Sequence, residues 1–257
     1  MKKLLVANWK MNPKTLREAN KLLSAITIKP TPKEVDLVVC PPAPYLSALR
    51  LLRNATLGAQ NVHWEKEGAH TGEYSAHMLK NLGVKYVIVG HSERRAELGE
   101  TDEMINKKIT AALKEGLKVI LCVGEDLKTR KKGFLAASYA VKNQLVKNLN
   151  DVEKVKGAAK NIIVAYEPVW AISTSGSGKK ETPKDAAEMI NFISNQLNEK
   201  MFGAKVRVIY GGSVNAQNIA SFIKYPEIEG ALVGGASLKT GEFKKMIDLV
   251  AKEVDKK

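Results

Sequence analysis

The sequence predicts an α/β fold, a single (β/α)8 barrel of eight parallel strands with surrounding helices, and three observations carry that expectation. Eight short apolar runs rich in β-branched residues recur along the 257 residues. Helix-period stretches lie between them, and no linker, low-complexity tract or break in composition divides the chain. Parallel strands need helical crossovers, and eight of them close a barrel whose interior side chains can fill. Residues 1–257 are therefore expected to form one barrel domain. An open doubly wound sheet is the alternative, but it would carry a glycine fingerprint after its first strand, where this chain has Asn8-Trp9-Lys10-Met11-Asn12.

Taken in order, the expected strands are residues 4–7, 37–40, 56–59, 86–89, 119–123, 162–165, 206–209 and 231–233. The first follows two lysines, a superficial likeness to a secretion signal, yet Lys10 interrupts the apolar stretch too early for one. Helix periodicity appears at 16–25, 45–52, 102–115, 137–149, 183–200 and 243–254. Several boundaries have a mechanism. Thr101 can cap a helix whose first turn holds Asp102 and Glu103, and Gly116 falls just past its end, where a left-handed residue is wanted. Thr182-Pro183-Lys184-Asp185 reads as a helix start with Pro at the first helical position.

Composition narrows the class. A hydrophobic content of 44% over this length can bury a substantial core, and no apolar run reaches the roughly 18 residues a membrane span needs. The two cysteines, Cys40 and Cys122, each end a strand-like run and read as buried free thiols of a reducing compartment, which favours the cytoplasm. A net charge of +14 permits either nucleic-acid affinity or a field that draws in small anions. The lysines spread over most of the expected helices, and the densest run, Lys128-Thr129-Arg130-Lys131-Lys132, has no aromatic residue interleaved. A solvated basic surface is the preferred reading over a nucleic-acid site.

In a parallel barrel the loops leaving the C-terminal strand ends carry the chemistry. The sixth strand there delivers Tyr166-Glu167-Pro168, a carboxylate at a strand mouth, followed by Val169-Trp170-Ala171-Ile172, a Ser-, Thr- and Gly-rich segment, and the Thr182 helix start. That order suggests a base under a flap. The first strand delivers Asn8 and Lys10, which in extended chain point to one side, although a lysine at a strand end is commonly a solvent-facing charge. The fourth delivers His91, directly after Val89-Gly90 and before a short helix. The positive end of a helix suits a neutral imidazole that donates hydrogen bonds, and a packing histidine satisfied by backbone is the other reading. His63, His70 and His77 lack metal-ligand spacing and read as surface or packing residues. The last two strands deliver Gly211-Gly212-Ser213 and Gly234-Gly235, glycine pairs whose N–H groups can meet an oxyanion.

Together these residues resemble the triosephosphate isomerase family, the namesake of the TIM barrel, over essentially the whole chain. The resemblance rests on Asn8-Trp9-Lys10-Met11-Asn12, Gly58-Ala59-Gln60-Asn61, Thr71-Gly72-Glu73, GHSERR from Gly90, Cys122-Val123-Gly124-Glu125, AYEPVWAI from Ala165, YGGSV from Tyr210 and LVGGASL from Leu232. It implies Glu167 as base, His91 as neutral electrophile and Lys10 as ammonium. Asn8 would line the same pocket, with Glu93 holding Lys10 and the His91 turn in place. The implied substrate is a triose phosphate, isomerised between dihydroxyacetone phosphate and glyceraldehyde 3-phosphate through an enediolate, with no metal or cofactor. Ile172 and Leu232 would close over Glu167, and backbone N–H groups of Ser173, Ser213, Gly234 and Gly235 would hold the phosphate. A homodimer through the loop around Thr71 is also implied. The chain departs from the family pattern in a flap, Ser173 to Glu181, about three residues longer than usual with Ser173 where a glycine is usual, and in His70, where an aromatic residue is common. The longer flap is expected to slow closure or loosen the phosphate grip.

Overall fold

A computed structural model describes residues 2–27, 29–49, 54–172 and 180–256. Eight strands, β1 (Lys3–Asn8), β2 (Val35–Cys40), β3 (Thr56–Ala59), β4 (Tyr86–Val89), β5 (Lys118–Val123), β6 (Ile162–Tyr166), β7 (Arg207–Tyr210) and β8 (Gly230–Val233), form a closed barrel in sequence order. Every neighbouring pair is parallel, and β8 closes on β1 through pairs such as Val6 with Leu232. Each expected strand is present within two residues of its predicted ends.

Alternation along the strands sorts the core into two layers. Leu4, Val6, Val38, Cys40, Ile88, Ile120, Cys122, Ile163, Ala165, Ile209 and Leu232 fill the barrel interior. Leu5, Ala7, Val39, Val87, Leu121, Val164 and Val208 face outward onto the helices. Each fully buried Leu, Ile or Val contributes roughly 1.5–3 kcal/mol, so the interior plug holds the strand ends in fixed register beneath the loops. Both thiols sit in this plug, uncombined.

The outer ring contains helices Leu16–Thr27, Asp102–Lys114, Phe134–Asn148, Pro183–Asn195 and Thr240–Asp255. Thr101 accepts a hydrogen bond from the Met104 N–H, Gly116 has φ +80°, and Thr182 accepts from the Asp185 N–H, so these ends are capped by the residues the sequence singled out. One stretch differs from expectation and one lies partly outside the described residues. Of the helix expected over 45–52, residues 46–49 follow the 3₁₀ turn Ala43–Tyr45 as turns, with the Leu49 N–H donating to the Tyr45 carbonyl at 3.0 Å, and residues 50–52 lie outside the description. The pattern at 183–200 stops being α-helical at Asn195 and widens into a π turn, Gln196–Phe202. Short helices Ala76–Asn81 and Ile219–Ile223 span too few residues to show a period.

Candidate active site

Asn8 closes β1, and its side-chain Oδ1 accepts a hydrogen bond from the Lys10 N–H at 3.0 Å. Lys10 does not continue the strand, as the alternation argument had assumed. Its φ is +53°, a left-handed conformation that costs a non-glycine residue about 1 kcal/mol or more. Gln60, from the turn after β3, donates to the Lys10 carbonyl at 2.8 Å and to the Cys40 carbonyl at 2.9 Å, pinning that bend. The bend brings the Lys10 ammonium to 2.5 Å from Glu93 Oε1.

Gly90, at φ +73°, turns β4 sharply into the short helix Ser92–Leu98. His91 caps that helix with its own ring, Nδ1 accepting from the Glu93 N–H at 3.2 Å. An accepting Nδ1 carries no proton, so the ring is the neutral tautomer with its proton on Nε2. Nε2 lies 3.1 Å from Glu167 Oε1.

Glu167 stands one residue past β6, and only 2% of it is exposed. Its N–H donates to the Val123 carbonyl at 2.8 Å, which fixes the backbone against β5. Its other carboxylate oxygen, Oε2, accepts from the Ser92 N–H at 3.2 Å. The carboxylate therefore rests on the start of the His91 helix.

Asn8, Lys10, His91 and Glu167 line a pocket of about 310 Å³ together with Ser213, Gly234 and Gly235. The 3₁₀ turn Gly235–Leu238 begins at the second glycine pair, and Ser237 fastens it by donating from N–H and hydroxyl to the Gly234 carbonyl at 2.9 and 2.7 Å. The first N–H groups of such a turn have no partner within it. A Cβ on Gly234 would lie 3.4 Å from Lys10 Cε, so the second glycine pair and the ammonium adjoin. Ile172, half-buried, and Leu232, buried, complete the wall. Ser173 and the rest of the flap through residue 179 lie outside the described residues.

Gln60, Ser92 and Lys239 belong to this site too, although the sequence alone assigns them no role, and Gly211, expected as half of an anion-binding pair, instead gives its N–H to the Tyr166 carbonyl at 2.7 Å. Gln60 and Ser92 sat inside the quoted motifs, but their work is done through backbone contacts that no spacing reveals. Lys239, on the pocket wall just beyond the second glycine pair, had a legible signal: a cation one turn past a phosphate-type loop. Among the described residues, no group of three His, Cys, Asp or Glu side chains is placed to hold a metal ion.

A carboxylate and an imidazole in contact at the C-terminal mouth of a (β/α)8 barrel, beside a glycine cradle, place the chain among barrel enzymes that do acid–base chemistry on small anions. A sequence profile of triosephosphate isomerase matches residues 3–250. The chain is 48% identical to the triosephosphate isomerase of Carboxydothermus hydrogenoformans over 253 residues, 96% of this chain and 98% of that protein. It is 45% identical to the triosephosphate isomerase of Aquifex aeolicus over 254 residues, 96% and 99% of the two chains. The same-named protein of Dictyoglomus turgidum shares 45% over 246 residues, 94% and 97%. The chain belongs to the triosephosphate isomerase family.

Proposed function

We propose that the chain, as one catalytic domain, interconverts dihydroxyacetone phosphate and D-glyceraldehyde 3-phosphate through an enediolate, with Glu167 carrying the proton between the two adjacent carbons. The observation that supports this most directly is the contact of the Glu167 carboxylate with the neutral His91 ring inside a pocket of substrate size. Substrate bound between them takes over both partners. The carboxylate turns from the Ser92 N–H toward the carbon-bound proton, and His91 Nε2–H donates to the substrate oxygen that becomes negative. Lys10, aimed by its left-handed backbone and held by Glu93, adds a fixed positive charge beside that oxygen. The amide group of Asn8 lines the same wall.

The phosphate is assigned to the N–H groups of Ser213, Gly234 and Gly235, with Ser173 as the fourth donor. Ile172 and Leu232 exclude water, which matters because an enediolate phosphate can expel its phosphate group. A proton moved between neighbouring carbons leaves the count of electrons and hydrogens unchanged, so the step asks for no cofactor or metal.

A homodimer is part of the proposal. Met11, 92% exposed, and Leu98, 61% exposed, rim a second opening beside Lys10 and Glu93, a place for the exposed loop around Thr71 of a second copy. No helix among the described residues is long and apolar enough to cross a membrane. The buried thiols support residence in a reducing compartment such as the cytoplasm. A coupled assay of triose phosphate interconversion tests the reaction, and sedimentation at micromolar concentration tests the dimer. No turnover by the intact protein would refute the first, and a sharp monomer boundary the second.

A further inference from the structure

The basic run at 128–132, read from sequence as a solvated face, hides one residue that is not solvated. Arg130 ends the short helix Leu127–Arg130 with its side chain largely covered. Its guanidinium lies 5.5 Å over the Trp170 ring, 2.8 Å from Glu181 Oε1 and 3.7 Å from Glu125 Oε1. Glu125 and Glu181 are both buried, at 2% and 6% exposure. Two buried carboxylates thus share one guanidinium, directly behind the catalytic strand end.

The proton count at Tyr166 identifies the occupant of this cluster. The Tyr166 hydroxyl lies 3.1 and 3.2 Å from the two oxygens of Glu125 and 3.3 Å from Glu181 Oε2. A hydroxyl has one proton to give. Given to Glu125, it leaves the Glu181 contact as two lone pairs facing each other unless Glu181 supplies a proton of its own. Glu125 takes the charge because two donors serve it, the Tyr166 hydroxyl and Trp170 Nε1 at 2.9 Å, with Arg130 also 3.7 Å away, whereas among the described residues the Arg130 contact at 2.8 Å is the one donor that Glu181 has besides Tyr166. Arg130 donates to Glu181 Oε1, which leaves Oε2 to carry the hydrogen.

We infer that Glu181 is a positioning residue that holds a proton near neutral pH, donates it to Tyr166, and thereby keeps Trp170, Ile172 and Glu167 in their working places. The path is short. Tyr166 immediately precedes Glu167, Trp170 is tied to Glu125, and Ile172, two residues on, lines the pocket. Among the described residues, the groups facing Glu181 are Arg130, Glu125, Tyr166, Asp185 of the helix Pro183–Asn195, and Tyr210 of β7. Burial, with Glu125 adding repulsion against the pull of Arg130, pushes the Glu181 carboxyl up to about 8. Burial also raises Tyr166 and Tyr210, so both phenols stay neutral and add no charge of their own, and it raises Glu125 in the same direction as Glu181. Losing the proton places a second negative charge beside Glu125 in a dry cluster, which drives the two chain segments apart.

The inference rests on the isomerase reading for its kinetic consequence but not for its direct test. The rate of the intact protein and of Glu181→Gln is measured from about pH 6 to about pH 9.5. The wild type is expected to lose about threefold or more of kcat/KM above about pH 8, mainly through KM, and E181Q is expected to lack that limb. Glu181→Ala serves if E181Q does not fold. Superimposable profiles for wild type and variant would overturn the inference. Infrared difference spectra across the same range read the proton without turnover: a protonated carboxyl band lost on alkalinisation and missing in E181Q supports it, and no such band refutes it. A protein with no isomerase activity that shows the band would sink the activity and leave the proton assignment standing.

Discussion

The Nε2 of His91 and the Oε1 of Glu167, delivered by strands β4 and β6, lie 3.1 Å apart in a water-excluding corner of the pocket. In the proposed reaction that single contact ties the base to the group that polarises the substrate, which places both against one small molecule. Replacing Glu167 by Gln keeps the shape and the hydrogen bonds and removes only the proton acceptor. The expected result is a fall in kcat of about 10²–10⁴-fold with little change in KM or melting temperature. A coupled assay on both proteins checks it, and similar rates would remove Glu167 from the chemistry.

Lys10 makes a sharper test, because its backbone and its side chain pull in opposite directions. The left-handed φ of +53° favours glycine, while the ammonium favours lysine. Lys10→Gly should therefore leave melting temperature unchanged or raise it slightly, and lower kcat/KM by about 10²–10³-fold. A large loss of stability together with a small loss of activity would mean that Lys10 is held for structure.

Gly211 sits where the barrel has no room. A Cβ there would lie 2.7 Å from Glu167 Cγ and 3.2 Å from the Tyr166 carbonyl oxygen, while its own N–H donates to that oxygen at 2.7 Å. Gly211→Ala should displace the Glu167 side chain and, with Glu167 as the proposed base, lower kcat about tenfold or more, at a stability cost of about 1–3 kcal/mol. Thermal melts with kinetics on the same preparation separate the two effects.

These residues also mark how far the sequence could be read. The strands were legible because burial on both faces leaves an unbroken apolar run, and Glu167, His91 and the glycine pairs were legible because each stands immediately after such a run. The conformation of Lys10 was not. Its aim depends on hydrogen bonds from Gln60, fifty residues away, and from its own N–H to Asn8. The role of Arg130 was hidden for the same reason: a charge run looks solvated until tertiary contacts turn one member inward.

Stability against pH follows from two buried acids shifted in opposite directions. Burial pushes Glu100 upward, but hydrogen bonds from Lys108 and Arg94 outweigh it and hold the carboxyl below its ordinary value. A depressed acid contributes stability that is complete above its unfolded value and lost as pH falls through the folded one. Glu181 is raised to about 8, and the sign reverses. Between its unfolded value of 4.5 and about 8 the folded chain binds the extra proton, so its contribution is complete below 4.5 and fades as pH rises toward 8. The shift corresponds to roughly 3–5 kcal/mol, on the order of 10 °C in melting temperature for a chain of this size. Glu181→Gln cannot ionise, so its melting temperature should fall less steeply than the wild type's between about pH 5 and about pH 8, and the two curves should diverge in that window. Parallel curves, measured by calorimetry in matched buffers, would show that Glu181 is already ionised in the folded protein and that Arg130 alone holds its charge.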